Sequence, residues 1–136
     1  MARILGIDYG KKRTGIAVTD PLQIIVSGLD TVETKQLIPY LKEYIQSEEV
    51  DKIVFGLPTH ADGNYTYLKE DIDKTTAEVQ KLFPQLSVQF QDEYLTSVEA
   101  KRAILQSGAK KKKRRDKQLV DKVSAILILQ RFLGHI

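Results

Sequence analysis

The sequence predicts a mixed α/β fold: an antiparallel meander of three strands, then two parallel strands, five in one sheet flanked by helices. Three observations predict it. Apolar side chains alternate with period two in short runs from Arg3 to Leu29. The period then lengthens to that of a helix, with Leu37, Ile38, Leu41 and Ile45 recurring on one face. Beyond that point, short apolar runs and helical stretches take turns, the pattern of strands joined by helical crossovers.

Arg3-Ile-Leu-Gly-Ile-Asp-Tyr9 sorts into Ile4/Gly6/Asp8 on one face and Leu5/Ile7/Tyr9 on the other, a strand. Gly10-Lys-Lys-Arg13 turns the chain into a second strand, Gly15–Thr19. Asp20-Pro21 breaks it, and a third strand is expected over Gln23–Leu29. A first helix is expected over Thr34–Ser47, followed by a buried strand, Lys52–Gly56, stopped at Leu57-Pro58. The polar stretch Thr59–Asn64 leads to a second helix ending near Phe83-Pro84, and Leu86–Gln91 is the fifth strand. Thr96-Ser-Val-Glu99 has the spacing of a capping box and opens a helix to Gln106, ended by Ser107-Gly108. Asp116 is placed to cap a last helix, Lys117–Leu133. The order is βββαβαβαα, one domain over 1–136 with a mobile basic loop at 107–117.

Composition narrows the chemistry. The 136 residues include no cysteine, which removes disulfides, thiolate metal sites and thiol nucleophiles and suits a reducing cytoplasm. No apolar run is long enough to cross a membrane, and the first residues have no signal-peptide anatomy. Net charge is +3, but it is localised. Lys110, Lys111, Lys112, Lys113, Arg114, Arg115 and Lys117 are seven of the 21 basic residues; with Asp116 the segment carries +6 and leaves the rest at −3. A charge run of this kind is often a solubilising loop. Here it is the only concentrated attraction for a polyanion, so it is a candidate grip on nucleic-acid phosphates, along with Lys11 and Arg13 of the first turn.

Three acids stand out. Asp8 shares a strand face with Ile4 and Gly6, where an unpaired carboxylate is costly and calls for a cation, donors or a metal ion. The plainer reading is a carboxylate that caps the hairpin turn. Asp121 lies in the last helix with Ser124, Ala125 and Ile128 at +3, +4 and +7. Small residues there let the helix approach the sheet and turn Asp121 inward; a salt bridge to Lys117 or Lys122 is the alternative. Glu93 follows the fifth strand, at the carboxyl end where α/β sheets gather their active residues, although acids after strands are also ordinary loop chemistry. Together, three hard oxygen donors suit Mg²⁺ or Mn²⁺ rather than zinc. A pair of such ions can activate water and stabilise the leaving oxygen of a phosphodiester. His60 and His135 offer no rival centre.

Gly6-Ile-Asp8-Tyr-Gly10-Lys-Lys-Arg13-Thr-Gly15-Ile-Ala17-Val-Thr-Asp20 resembles the first motif of the YqgF (RuvX) family of pre-16S rRNA processing nucleases. Val54-Phe-Gly56-Leu-Pro58, Asp62-Gly63, Asp92-Glu93-Tyr-Leu95-Thr96-Ser97-Val-Glu99-Ala100 and Val120-Asp121-Lys-Val-Ser-Ala125-Ile-Leu-Ile-Leu129 match in order. The resemblance implies a ribonuclease H-like fold, a metal-dependent nuclease and metal acids at Asp8, Glu93 and Asp121. Its implied partner is nucleic acid, pre-rRNA first and branched DNA second, with no membrane; monomer and homodimer both remain compatible. Tyr94 stands where the family usually has arginine, and His60 where it has asparagine.

Two other functions compete. Holliday-junction resolvases of the RuvC type share the fold and the opening motif but carry their second acid at the end of the fourth strand, where this chain has Gly56-Leu57. A non-catalytic RNA-binding module would use the basic segment alone, and would leave inward acids at a cost. Sugar-kinase and actin-like ATPases share the Asp-x-Gly opening, but each of their two halves is about the size of this chain.

Overall fold

A computed structural model describes residues 2–59, 65–93, 96–107 and 117–136, with the backbone alone at 96–98 and 117. The strands are β1 (Arg3–Asp8), β2 (Arg13–Thr19), β3 (Val26–Glu33), β4 (Val50–Pro58) and β5 (Ser87–Glu93), in the sheet order β3-β2-β1-β4-β5. β1–β2 and β2–β3 are antiparallel; β1–β4 and β4–β5 are parallel. The helices are α1 (Leu37–Ser47), entered through one 3-10 turn at Thr34–Gln36, then α2 (Lys69–Leu82), α3 (Thr96–Gln106) and α4 (Lys117–Phe132). The mixed five-stranded sheet and the element order agree with the sequence.

The third strand does not begin where expected. Gln23, Ile24 and Ile25 belong to a turn, and β3 starts at Val26. The Asp20 carboxylate accepts the backbone amides of Ile24 and Ile25, both at 2.7 Å, and of Leu22 at 3.3 Å. These bonds, that from Ile25 foremost, hold the Asp20 carboxyl below the usual carboxylate range. Gln23 takes the left-handed conformation (φ 60°), and Leu22, Ile24 and Ile25 are exposed. An apolar run alone could not reveal that a side chain had taken up its amides. Likewise β5 runs on to Glu93, which therefore ends the strand rather than following it. Glu99 pairs with Arg131 of α4; the Thr96 side chain of the expected capping box lies outside the described residues.

Each sheet face has its own core. Leu5, Ile7, Ile16, Val18, Ile53 and Phe55 pack with Leu37 and Leu41 of α1 and Ile72 and Val79 of α2. On the opposite face, Ile4, Ala17 and Val54 meet Ala125, Ile128 and Leu129 of α4. The far side of α4 receives α3 through Val120, Ala100 and Ile104. Helix α4 is thus apolar on two sides, because it lies between a sheet and another helix.

The β1–β2 turn is fastened from outside the hairpin. Thr34 donates to Gly10 O at 2.6 Å, its hydroxyl lies 2.9 Å from that of Thr14, and its amide donates to Lys12 O at 2.9 Å. Thr14 is fully buried. Thr34→Val keeps the shape and loses both hydroxyl bonds, so a loss of about 1–2 kcal/mol is expected in urea melts. An unchanged midpoint would show that Thr34 adds nothing to the turn.

Candidate active site

Asp8 is the last residue of β1 and extends the Ile4/Gly6 face toward α4. It pairs across the ladder with Gly15. A methyl group on Gly15 would lie 2.0 Å from the backbone carbonyl oxygen of Asp121, so glycine allows α4 to rest directly on β2. One residue therefore faces Asp8 across the strands and carries the backbone of Asp121. The small inward residues of α4 have the effect expected of them.

Glu93 reaches the same place from the other side. It is buried at 7% exposure at the end of β5, in register with Pro58 of β4. Between β1 and β5 lies β4, and there the chain has Gly56. A methyl on Gly56 would come within 2.8 Å of the Glu93 carboxyl and 2.5 Å of Ile128 Cδ1. The missing side chain is the space that Glu93 crosses to hydrogen-bond Asp8. Two carboxyl groups can share such a bond only if one holds a proton.

The electrostatics follow. Burial, first, and the negative charge of Asp121, second, raise the Asp8 carboxyl to about 7, partly offset by the bond with Glu93. Of the lysines weighed as partners of Asp121, the side chain of Lys117 lies outside the described residues. Arg13 Nε lies 3.1 Å from Asp121 Oδ2, so its partner comes from the start of β2. Asp8 does not cap the hairpin, which Thr34 fastens. Among the described residues, no three acidic or histidine side chains are already gathered around a metal position. The structure joins Asp8 to Glu93, holds Asp8 in the field of Asp121, and turns Asp121 to Arg13.

The donor set nevertheless suits a hard cation. All three acids supply carboxylate oxygen. Asp121, Ser124 and Ile128 form one stripe of α4, with Asp121 over Gly15 and Ile128 beside Gly56. Ser124, between them, is buried at 1% exposure, and among the described residues its hydroxyl has no hydrogen-bond partner. A buried oxygen without a partner beside a carboxylate cluster is what an added ligand would satisfy.

Of the basic candidates, Lys11 and Arg13 line a groove of about 590 Å³ with Lys12, Lys35 and Gln118. Lys110, Lys111, Lys112, Lys113, Arg114 and Arg115 lie outside the described residues, as do His60 and Tyr94; of Lys117 only the backbone is described, at the start of α4. Sequence reasoning missed Gly56, whose value is the side chain it lacks, and Lys12 and Lys35, which look ordinary until the fold places them together. It also passed over Tyr65-Thr66-Tyr67, although two tyrosines so close together on a polar stretch are a visible signal. No described helix is long and apolar enough to cross a membrane.

Comparison with known proteins agrees with this fold. A Bacteroides thetaiotaomicron protein named "Putative pre-16S rRNA nuclease" is 45% identical over 133 residues, 98% of this chain and 96% of the relative. The fowlpox virus resolvase in complex with Holliday junction DNA superposes with a TM-score of 0.58 at 10% identity, covering 98% and 97% of the two chains. T. thermophilus RuvC with its Holliday junction substrate gives 0.52 at 15% identity, over 98% and 97%. At such identities the likeness concerns the fold, which is ribonuclease H-like. Residues 2–135 match the family model described as RuvX, Holliday junction resolvase, and the chain belongs to that family.

Proposed function

We propose that this chain is a metal-dependent nuclease that hydrolyses phosphodiester bonds, with 5′-end processing of pre-16S rRNA as its reaction. The observation that carries this reading is the convergence of the three acids at the carboxyl end of the parallel strands: Asp8 faces Gly15, on which the backbone of Asp121 rests, and the Glu93 carboxyl lies over Gly56. The name of the 45% identical relative supports the substrate. Asp8, Glu93 and Asp121 would hold Mg²⁺ or Mn²⁺. Bound there, one ion or a pair supplies charge neutralisation at the phosphate and acidifies the attacking water. In the metal-free protein burial and the charge of Asp121 favour a proton on Asp8, which a bound cation would displace. Arg13 supplies the counter-charge to Asp121 in the metal-free protein. The basic segment 110–117 attracts the phosphate backbone and leads it toward Asp121, four residues beyond.

The description of the family as Holliday junction resolvases favours a second reading, junction cleavage. The test is cleavage of a precursor rRNA fragment, an unstructured RNA and a four-way DNA junction, with Mn²⁺, with Mg²⁺ and with EDTA. We expect divalent-dependent cleavage of the rRNA precursor, at least tenfold faster than the junction. Undiminished cleavage in EDTA would end the metal proposal, and preference for the junction would select the second reading.

A further inference from the structure

Two exposed tyrosines flank the site and take no part in either core. Tyr65 is 50% and Tyr67 74% exposed. Both are fixed to the end of β4: Tyr65 bridges Thr59, and the amide of Thr66, between them, donates to Pro58 O at 3.2 Å. Pro58 is the ladder partner of Glu93, and the Thr59 amide points to Glu93 O at 3.4 Å. The tyrosines therefore stand at the edge of the carboxylate cluster.

Each has a cation over its ring. Lys11 Nζ lies 5.9 Å from the Tyr67 ring centre, and Lys69 Nζ, which also pairs with Asp73 at 2.6 Å, lies 5.2 Å from that of Tyr65. An exposed ring beside an ammonium group offers a flat surface for a base and a positive charge for the phosphate next to it. Lys11 also lines the 590 Å³ groove with Lys12, Arg13 and Lys35, of which Arg13 pairs with Asp121 and Lys35 with Glu33. Platform and groove are continuous through Lys11, and the acids lie alongside.

We propose that Tyr65 and Tyr67 stack unpaired bases of a single-stranded RNA, while Lys11 and the groove beyond it take its phosphates. This deepens the nuclease reading, on which it rests for the scissile bond, and names the substrate class: a strand unpaired where it is cut. A fully paired junction presents no free base to the rings.

The test uses Asp8→Asn protein, so that binding is measured without cleavage. Tyr65→Ala and Tyr67→Ala, placed in that background, are compared by fluorescence anisotropy on an unstructured RNA 12-mer, the same DNA sequence, an RNA duplex and a four-way junction. Each Ala variant should weaken single-stranded RNA binding about tenfold, the scale of one lost stacking contact. Tyr→Phe should restore it, and duplex and junction affinities should change less than twofold. The chain has no tryptophan, so its tyrosine emission should also fall as single-stranded RNA saturates the protein. Equal losses on single-stranded DNA would support a platform that reads bases and not the sugar. The platform is overturned if the Ala variants bind RNA within twofold of their parent, if duplex binding falls equally, or if the parent binds no single strand. Cleavage by wild type with unaffected binding in the Ala variants refutes the platform alone. Lost binding in a protein that never cleaves refutes the nuclease reading alone.

Discussion

Asp8→Asn is expected to abolish cleavage and, at pH 8, to make the metal-free protein more stable. The loss of activity should be at least about a hundredfold, the scale of removing one group that acts on the developing charge. The stability gain follows from the raised carboxyl. Native Asp8 titrates near 7, against 3.8 for a free side chain. Between those values the folded protein holds a proton that the unfolded chain releases, so stability falls as pH rises from about 4 to about 7 and is level above. The full shift corresponds to about 4 kcal/mol; with Asp8 half-buried, about 2–4 kcal/mol is expected. The amide cannot ionise, and its oxygen can still accept from Glu93. The variant should thus melt several degrees above wild type at pH 8 and near it at pH 4. A wild-type decline with pH that persists unchanged in Asp8→Asn would refute this account. Divalent ions should raise the melting temperature of wild type more than that of the variant.

Gly15→Ala should have the largest effect on the fold. The added methyl would sit 2.0 Å from the carbonyl oxygen and 2.4 Å from the carbonyl carbon of Asp121. These are backbone atoms and cannot rotate away, so α4 must lift from β2. Overpacking of this kind costs about 3 kcal/mol, or roughly 10 °C in a chain of this size. Because the lifted residue is Asp121, cleavage should be lost in whatever protein still folds. Gly56→Ala provides the contrast. Its methyl meets the ends of the Glu93 and Ile128 side chains, which can move. It should cost less stability yet push Glu93 out of the Asp8 hydrogen bond, which leaves a folded protein with little activity. Gly15→Ala with wild-type melting and cleavage would show that α4 has room to shift.

The contrast shows what sequence could and could not reveal. Period-two and helical patterning exposed the meander, the crossovers and the inward face of α4, since burial leaves its mark on residue type. Asp8 and Asp121 could be picked out because an acid among apolar or small neighbours is costly. The start of β3 was hidden because the Asp20 side chain, not a pattern, decides it. The Arg13 partner of Asp121 lies 108 positions away and leaves no local trace. Gly56 was visible only as the lack of an acid in the fourth strand; that this gap admits Glu93 depends on the strand order.

That separation of 108 positions has a kinetic consequence. The acid on α4 meets β1 and β2 only after nearly the entire chain has been threaded into place, a high-contact-order assembly that forms slowly and cooperatively. The hairpin, the β4–α2–β5 unit or a frayed α4 could each persist without any semblance of a cleavage centre. Hydrolytic power is thereby tied to global folding: partly unfolded molecules are disarmed, and the enzyme's turnover becomes a report on the population of its intact native state.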